Sequence, residues 1–225
     1  MNRIITIDGP AGAGKSTVSR LLAKRLDYLY LDTGAMYRAV TLQAKREGID
    51  FNDGKQLYKM CRDLDLNFIS DGDSAGVYIG EEDISSEIRK PEMDMMSSRI
   101  SAIKEVREAL TELQRRIGIK GRLVAEGRDM GTVVFPDADY KLYITASPEI
   151  RAERRYKERQ GRGESVSRDE VDAELKKRDE QDKTRPIAPL RPAEDAIIID
   201  TTALGIKQVI EEILIKIGKR TILQA

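Results

Sequence analysis

The sequence predicts an α/β protein in three layers: a parallel central sheet covered by helices, a small antiparallel β region inserted into it, and a helical, arginine-rich lid. Three observations predict this. A glycine-rich loop, Gly9-Pro10-Ala11-Gly12-Ala13-Gly14-Lys15-Ser16-Thr17, follows the apolar run Ile4-Ile5-Thr6-Ile7 and precedes a helix-patterned segment over about 14–26. Short apolar runs then alternate with helical patterns along most of the chain, the rhythm of parallel strands joined by crossover helices. Between about 49 and 87 that rhythm gives way to period-2 alternation.

The loop matches G-x-x-x-x-G-K-[ST] at every fixed position. Glycines let the backbone curl so that successive N–H groups point inward at a polyphosphate, and the following helix adds its positive end. Lys15 is placed to reach the β- and γ-phosphates and the Ser16 hydroxyl to ligate Mg²⁺. The blander reading is a Gly/Ala turn between a strand and a helix; the correct flanks favour phosphate binding.

The composition narrows the alternatives. The 225 residues suffice for one large domain with insertions, and 39 basic residues balance 39 acidic ones. A chain without net basic charge is a poor partner for nucleic acid or an anionic membrane. The absence of histidine removes Ser-His-Asp and Cys-His catalysis and disfavours transition-metal sites. Cys61 stands alone, so no internal disulfide forms, and no apolar run reaches the length of a membrane span or a signal-peptide core. A soluble, cytoplasmic protein is expected.

Residues 28–31 read as a second strand, broken by Asp32-Thr33-Gly34 before a helix over about 35–47. Ligands of parallel sheets lie beyond the carboxyl ends of the strands, where Asp32 and Thr33 fall, although Thr33 serves equally as a helix N-cap. Arg38 lies on the first turn of that helix. Leu64, Leu66, Phe68, Val77 and Ile79 then alternate with polar residues around the turn-rich stretch 70–74, the signature of the inserted antiparallel sheet. Helical patterning returns over about 91–117, with Arg107 bordering an apolar stripe and Ser98 nine positions earlier. Alone, either reads as a surface residue.

Arg122-Leu123-Val124-Ala125 is a buried-type strand that stops at Glu126-Gly127-Arg128-Asp129, a charge cluster that packing alone does not explain. A strand over 140–144 leads to Ser147-Pro148-Glu149, an N-cap followed by proline. The next helix carries Arg151, Arg154, Arg155 and Arg159, with Arg162 in a Gly-Arg-Gly break. It reads either as a solvated basic helix or as a flap that brings positive charge to a transferring phosphate. In the helix over about 167–182, the stripe begun by Val171 and Leu175 continues through Arg178, Asp182 and Arg185. Charges at inward positions must face a cleft or each other, and an i, i+4 pair between Arg178 and Asp182 is the structural alternative. Ala196-Ile197-Ile198-Ile199-Asp200 fits a central strand, and Ile206, Val209, Ile210, Ile213 and Ile217 a final covering helix.

These blocks together, with Asp8 before the loop, Leu31-Asp32-Thr33-Gly34-Ala35-Met36-Tyr37-Arg38, the run from Gly127 to Ala138, and Arg178-Asp179, Asp182, Arg185 and Ala188-Pro189-Leu190, resemble the bacterial cytidylate kinases over nearly the whole chain. The resemblance implies a three-layer P-loop kinase fold in one domain, 1–225. Its NMP-binding segment would be 35–118, with the inserted β region at about 49–87, and its lid 149–168. It further implies transfer of the γ-phosphoryl group of ATP to CMP or dCMP with Mg²⁺; a monomer is expected. Residues 9–17 and Arg154 would then bind ATP, with Lys15, Arg128 and Arg178 catalytic. Ser98, Arg107 and Asp129 match the residues that read cytosine. Thr33, Arg38 and Arg128 match those that hold the acceptor phosphate, and Asp182 and Arg185 those on the ribose and phosphate. The family also carries Ser at the Thr33 position, and other members carry Asp where this chain has Glu126. The rival readings are a nucleoside monophosphate kinase of broader UMP/CMP preference and, from another class, a P-loop ATPase switch.

Overall fold

The computed structural model describes residues 3–70 and 75–223. The chain forms two compact units, Met1–Leu31 with Gly121–Ala225, and Asp32–Lys120.

The first unit is built on a five-stranded sheet. After β1 (Ile4–Asp8), helix α1 (Lys15–Leu26) and β2 (Leu29–Asp32), the chain passes through the second unit. That unit contains α2 (Thr33–Arg46), α3 (Gly54–Asp63), β3 (Leu66–Ser70), β4 (Ala75–Ile79), β5 (Glu82–Asp83), α4 (Pro91–Ile100) and α5 (Lys104–Gly118). It returns as β6 (Leu123–Gly127), β7 (Tyr140–Thr145), α6 (Pro148–Gly161), α7 (Arg168–Thr184), β8 (Ile197–Asp200) and α8 (Ile206–Leu223). The strand order is β2-β6-β1-β7-β8, and β1 pairs in parallel with both β6 and β7. Central parallel strands are covered on both faces, which is why β1 and β6 are buried at successive residues rather than at alternate ones. The register Asp8↔Gly127 sets the carboxyl ends of β1 and β6 side by side. Ile5, Ile7, Val124, Leu142, Ile144 and Ile199 from the strands pack with Val18 and Leu22 of α1 and Val209 and Ile213 of α8.

Helices α6 and α7 form an antiparallel-type hairpin with its own small core of Ala152, Val171 and Leu175. Proline in the first turn and the Ser147 hydroxyl start α6. A capping box starts α7, where the Ser167 side chain and the Glu170 carboxylate each accept from the other's backbone N–H. Arg159 closes the hairpin, its Nε 2.6 Å from Glu164 and its Nη1 2.7 Å from Glu174.

In the second unit the β3–β4–β5 meander is antiparallel, with Phe68 opposite Val77 and Leu66 opposite Ile79. Its apolar face joins Ala35, Ala39 and Leu42 of α2 and Met93 of α4. The alternation over 64–79 therefore does mark strands, but the first part of the inserted region is helical. Asp53 caps α3 by accepting from Gln56 N at 2.9 Å, and Leu57, Met60 and Cys61 are buried at helical spacing. Of the predicted turn at 70–74, residues 71–74 lie outside the described residues. The helical stretch over 91–117 divides after Ile100, where the Ser101 hydroxyl turns back to donate to Ser98 O at 2.8 Å. Such local side-chain bonds compete with helix continuation.

Candidate active site

The loop after β1 opens at Gly9, where an added Cβ would lie 1.9 Å from Ile144 O; only glycine admits so close a passage beside β7. Gly14 ends the loop in the left-handed region, at φ 90°, and no side chain caps the N-terminus of α1. The first amides of that helix are thus available to an anion. Lys15, the first residue of α1, is buried and donates from Nζ to Pro10 O at 2.7 Å. Burial, reinforced by Arg128 and Arg178 and opposed by Glu126, brings its ammonium down to about 7. A polyphosphate would reverse that balance by supplying the missing negative charge. Ser16 Oγ donates to Glu126 Oε2 at 3.1 Å, and the Tyr30 hydroxyl holds the other carboxylate oxygen.

The segment following β6 is tied to three elements. Asp8 accepts from Met130 N at 2.9 Å and Gly131 N at 2.8 Å, although burial pushes its carboxyl up to about 6. Arg128 donates from Nε to Asp182 Oδ2 at 2.7 Å. Asp129, only 2% exposed, lies 3.4 Å from Arg185 Nη2, and Arg185 also donates from Nε to Ala188 O at 2.5 Å. Two ion pairs thus join adjacent residues of this segment to α7 and its end. They explain the charged stripe: Val171 and Leu175 are in the hairpin core, while Asp182 and Arg185 are buried against charged partners. The hydrogen-bonded charge partner of Asp182 is Arg128, a residue distant in sequence, and Arg178 and Arg185 add to its positive surroundings.

Burial raises the Asp182 carboxyl, but Arg128, Arg178 and Arg185 outweigh it and hold the group below the ordinary carboxylate range. A folded pKa below the unfolded 3.8 stabilises the fold above that value, and this stability is lost as pH falls through the folded one. Thermal melts between about pH 6 and pH 3 should show the wild type losing stability more steeply below pH 4 than Asp182→Asn. Parallel acid limbs in the two proteins would contradict the pairing.

The arginines of α6 divide by partner. Arg154 donates to Ala13 O at 3.4 Å and brackets Thr201 through its hydroxyl at 2.9 Å and its carbonyl at 2.7 Å. Arg155 and Arg162 both pair with Glu158, and Arg159 is held by two glutamates. Arg178 is half-buried, within electrostatic reach of Lys15 and Asp182.

The second unit holds four of the expected residues. Asp32, not Thr33, caps α2, accepting from Ala35 N at 2.9 Å. Thr33 is buried as the first helical residue, so its hydroxyl is not spent on capping. Arg38 lies 3.3 Å from Asp32 Oδ2, and its Nε is buried with no hydrogen-bond partner among the described residues. Arg107 is 4% exposed, not a surface residue: its guanidinium lies 5.9 Å from the Tyr37 ring centre and Nη1 donates to Ser101 O at 3.1 Å. Ser101 in turn bonds Ser98 O, which draws Ser98 and Arg107 into one cluster at the α4–α5 break. The sequence by itself assigns no role to Asp8, Tyr30 or Ser101, which the structure ties to Met130 and Gly131, to Glu126 and to Arg107. Asp8 had a signal, a lone carboxylate ending an apolar strand; the others had none short of the fold.

A family model described as cytidylate kinase matches residues 5–219. Among curated proteins, the cytidylate kinase of Geobacter sp. strain M21 is 51% identical over 92% of this chain and 89% of its own length. That of Carboxydothermus hydrogenoformans is 48% identical over 96% and 97%. The solved structure of a gluconokinase from Sinorhizobium meliloti is similar in fold, with a TM-score of 0.51 at 13% identity, covering 100% of this chain and 98% of that one.

Proposed function

This chain belongs to the cytidylate kinase family, and from that premise we propose that it transfers the γ-phosphoryl group of ATP to CMP and dCMP, giving CDP and dCDP. The observation that carries the reading is the phosphate loop, with its buried Lys15, in the same unit as the paired segments Arg128–Asp182 and Asp129–Arg185. An oxygen of the CMP phosphate attacks the γ-phosphorus as the bond to the β-phosphate oxygen breaks, and ADP leaves. The nucleophile is already anionic, so a histidine-free site suffices; positioning and charge neutralisation do the rest.

In this reading residues 9–17 and Arg154 bind ATP, with Arg154 also bracing the loop through Ala13 O. Lys15, Arg128 and Arg178 stabilise charge on the transferring group. Thr33, Arg38 and Arg128 hold the CMP phosphate. Asp182 and Arg185 serve the ribose and phosphate. Ser98, Arg107 and Asp129 read cytosine. The unpartnered Arg38 Nε supports its role as a phosphate donor. Mg²⁺ fits the oxygen donors at the head of α1: Ser16 would ligate it and Glu126 would orient Ser16. Among the described residues no cluster of three His, Cys, Asp or Glu could hold a metal, so most of its shell would be phosphate and water. When bound, Mg²⁺ neutralises charge on the β- and γ-phosphates. We read the protein as a cytoplasmic monomer; its lone, buried cysteine supports a reducing compartment, and its balanced charge speaks against a nucleic-acid or membrane partner. Among the described residues no helix is long and apolar enough to cross a membrane.

A coupled assay of ADP production with ATP and each of CMP, dCMP, UMP and AMP tests the function. CMP and dCMP should be efficient acceptors, UMP weaker and AMP inert. Equal kcat/KM for CMP and UMP would favour a broader kinase. ATP hydrolysis that CMP does not stimulate, with no CDP formed, would favour the ATPase switch.

A further inference from the structure

A loop that turns successive amides inward must turn carbonyls outward, and buried carbonyls need donors. Here the donors come from α6. Arg151, buried in its first turn, donates from Nη1 to Ala11 O at 3.1 Å and from Nε to Ala146 O at 3.2 Å. The same Nη1 lies 2.6 Å from Asp179 Oδ2 on α7. One turn on, Arg154 and the Thr201 hydroxyl share Ala13 O. The Ala11 side chain sits in the apolar cluster of the α6–α7 hairpin. At Gly12 the approach is so close that a Cβ would lie 2.8 Å from Arg151 O.

We propose that Arg151 is a positioning residue for the donor nucleotide. It orients the Ala11 peptide so that the loop amides converge on the polyphosphate, and it ties the loop through Asp179 to the helix that carries Arg178. This rests on the reading of the loop as the ATP phosphate site. Asp179 Oδ1 is buried without a hydrogen-bond partner among the described residues, so the ion pair of Oδ2 with Arg151 is the direct contact that offsets its burial. Arg151→Ala would strand that charge and confuse a folding defect with a loop defect. Arg151→Lys keeps a cation, but one ammonium on a flexible stem cannot reproduce the rigid fork that spans Ala11 O, Ala146 O and Asp179.

The test is calorimetric affinity for inorganic tripolyphosphate and for ATP, with the KM for CMP measured alongside. Arg151→Lys should weaken both polyphosphate ligands by about tenfold, the scale of one charge-assisted hydrogen bond, and leave the KM for CMP within about twofold. Unchanged tripolyphosphate affinity overturns the proposal. So does a parallel loss for ATP and CMP, which marks a general structural role. If Arg151→Lys does not fold, Arg151→Gln/Asp179→Asn, which removes both charges together, is judged by the same criteria. Wild-type protein that binds neither tripolyphosphate nor ATP refutes the loop assignment itself, a different result from wild-type binding that the variant retains.

Discussion

Lys15→Ala lowers kcat by about 10³-fold while the KM for CMP changes by less than about threefold. Lys15 is at the start of α1, buried, with its charge suppressed by burial and by Arg128 and Arg178. A cation that the protein alone destabilises is regained when phosphate charge arrives. Its greatest benefit falls where negative charge is most concentrated on the transferring group and the leaving oxygen. Alanine removes that benefit and deletes none of the side chains assigned to the acceptor, Thr33, Arg38, Ser98, Arg107 and Asp129 among them. Arg178→Ala should act in the same direction and on a comparable scale, because a guanidinium on the transferring phosphate is worth about 10³-fold or more. Steady-state kinetics with both substrates varied decides it. Turnover at the wild-type level in either variant removes that residue from the mechanism.

Asp129→Asn is expected to lower kcat/KM for CMP by about 10²-fold or more and to bring the CMP:UMP preference close to one. A carboxylate accepts from the cytosine 4-amino group but meets the uracil carbonyl acceptor to acceptor; a carboxamide can serve either base. The structure supplies the preorganisation such a filter needs. Asp129 is 2% exposed, beside Arg185, and follows Arg128, which is itself held by Asp182. The next two amides are fixed by Asp8. Asparagine keeps the volume but loses the ionic partner of Arg185, so part of the cost reflects a looser site. The ratio of the two acceptors separates this from specificity, because loosening penalises CMP and UMP alike. A variant that retained the wild-type preference would show that cytosine is read elsewhere.

Elements whose signal is local were legible in the sequence. The phosphate loop needs only neighbouring residues, and the strands β1, β6, β7 and β8 announce themselves as short apolar runs. Helix α3 was equally legible, with Asp53 as cap and Leu57, Met60 and Cys61 at helical spacing, but the alternation that follows it dominated the reading of 49–87. For Thr33, both Asp32 and Thr33 are good caps by residue type, and backbone geometry chose Asp32.

Charged side chains mark the boundary between the two kinds of information. The period of α7 already showed that Asp182 and Arg185 lie on the inward stripe, because helical spacing dictates which face a residue occupies. It could not show that Asp182 also meets Arg128, that Arg107 is buried beside Tyr37, or that Arg151 and Arg154 turn to the carbonyls of the phosphate loop. Long side chains take their partners from whatever the fold brings within about 4 Å, the range over which a low-dielectric interior makes a charge pair decisive. Residue identity and spacing thus determined the kind of protein and its chemistry, while the pairing of each charge was settled only when strands and helices far apart in the chain had packed together.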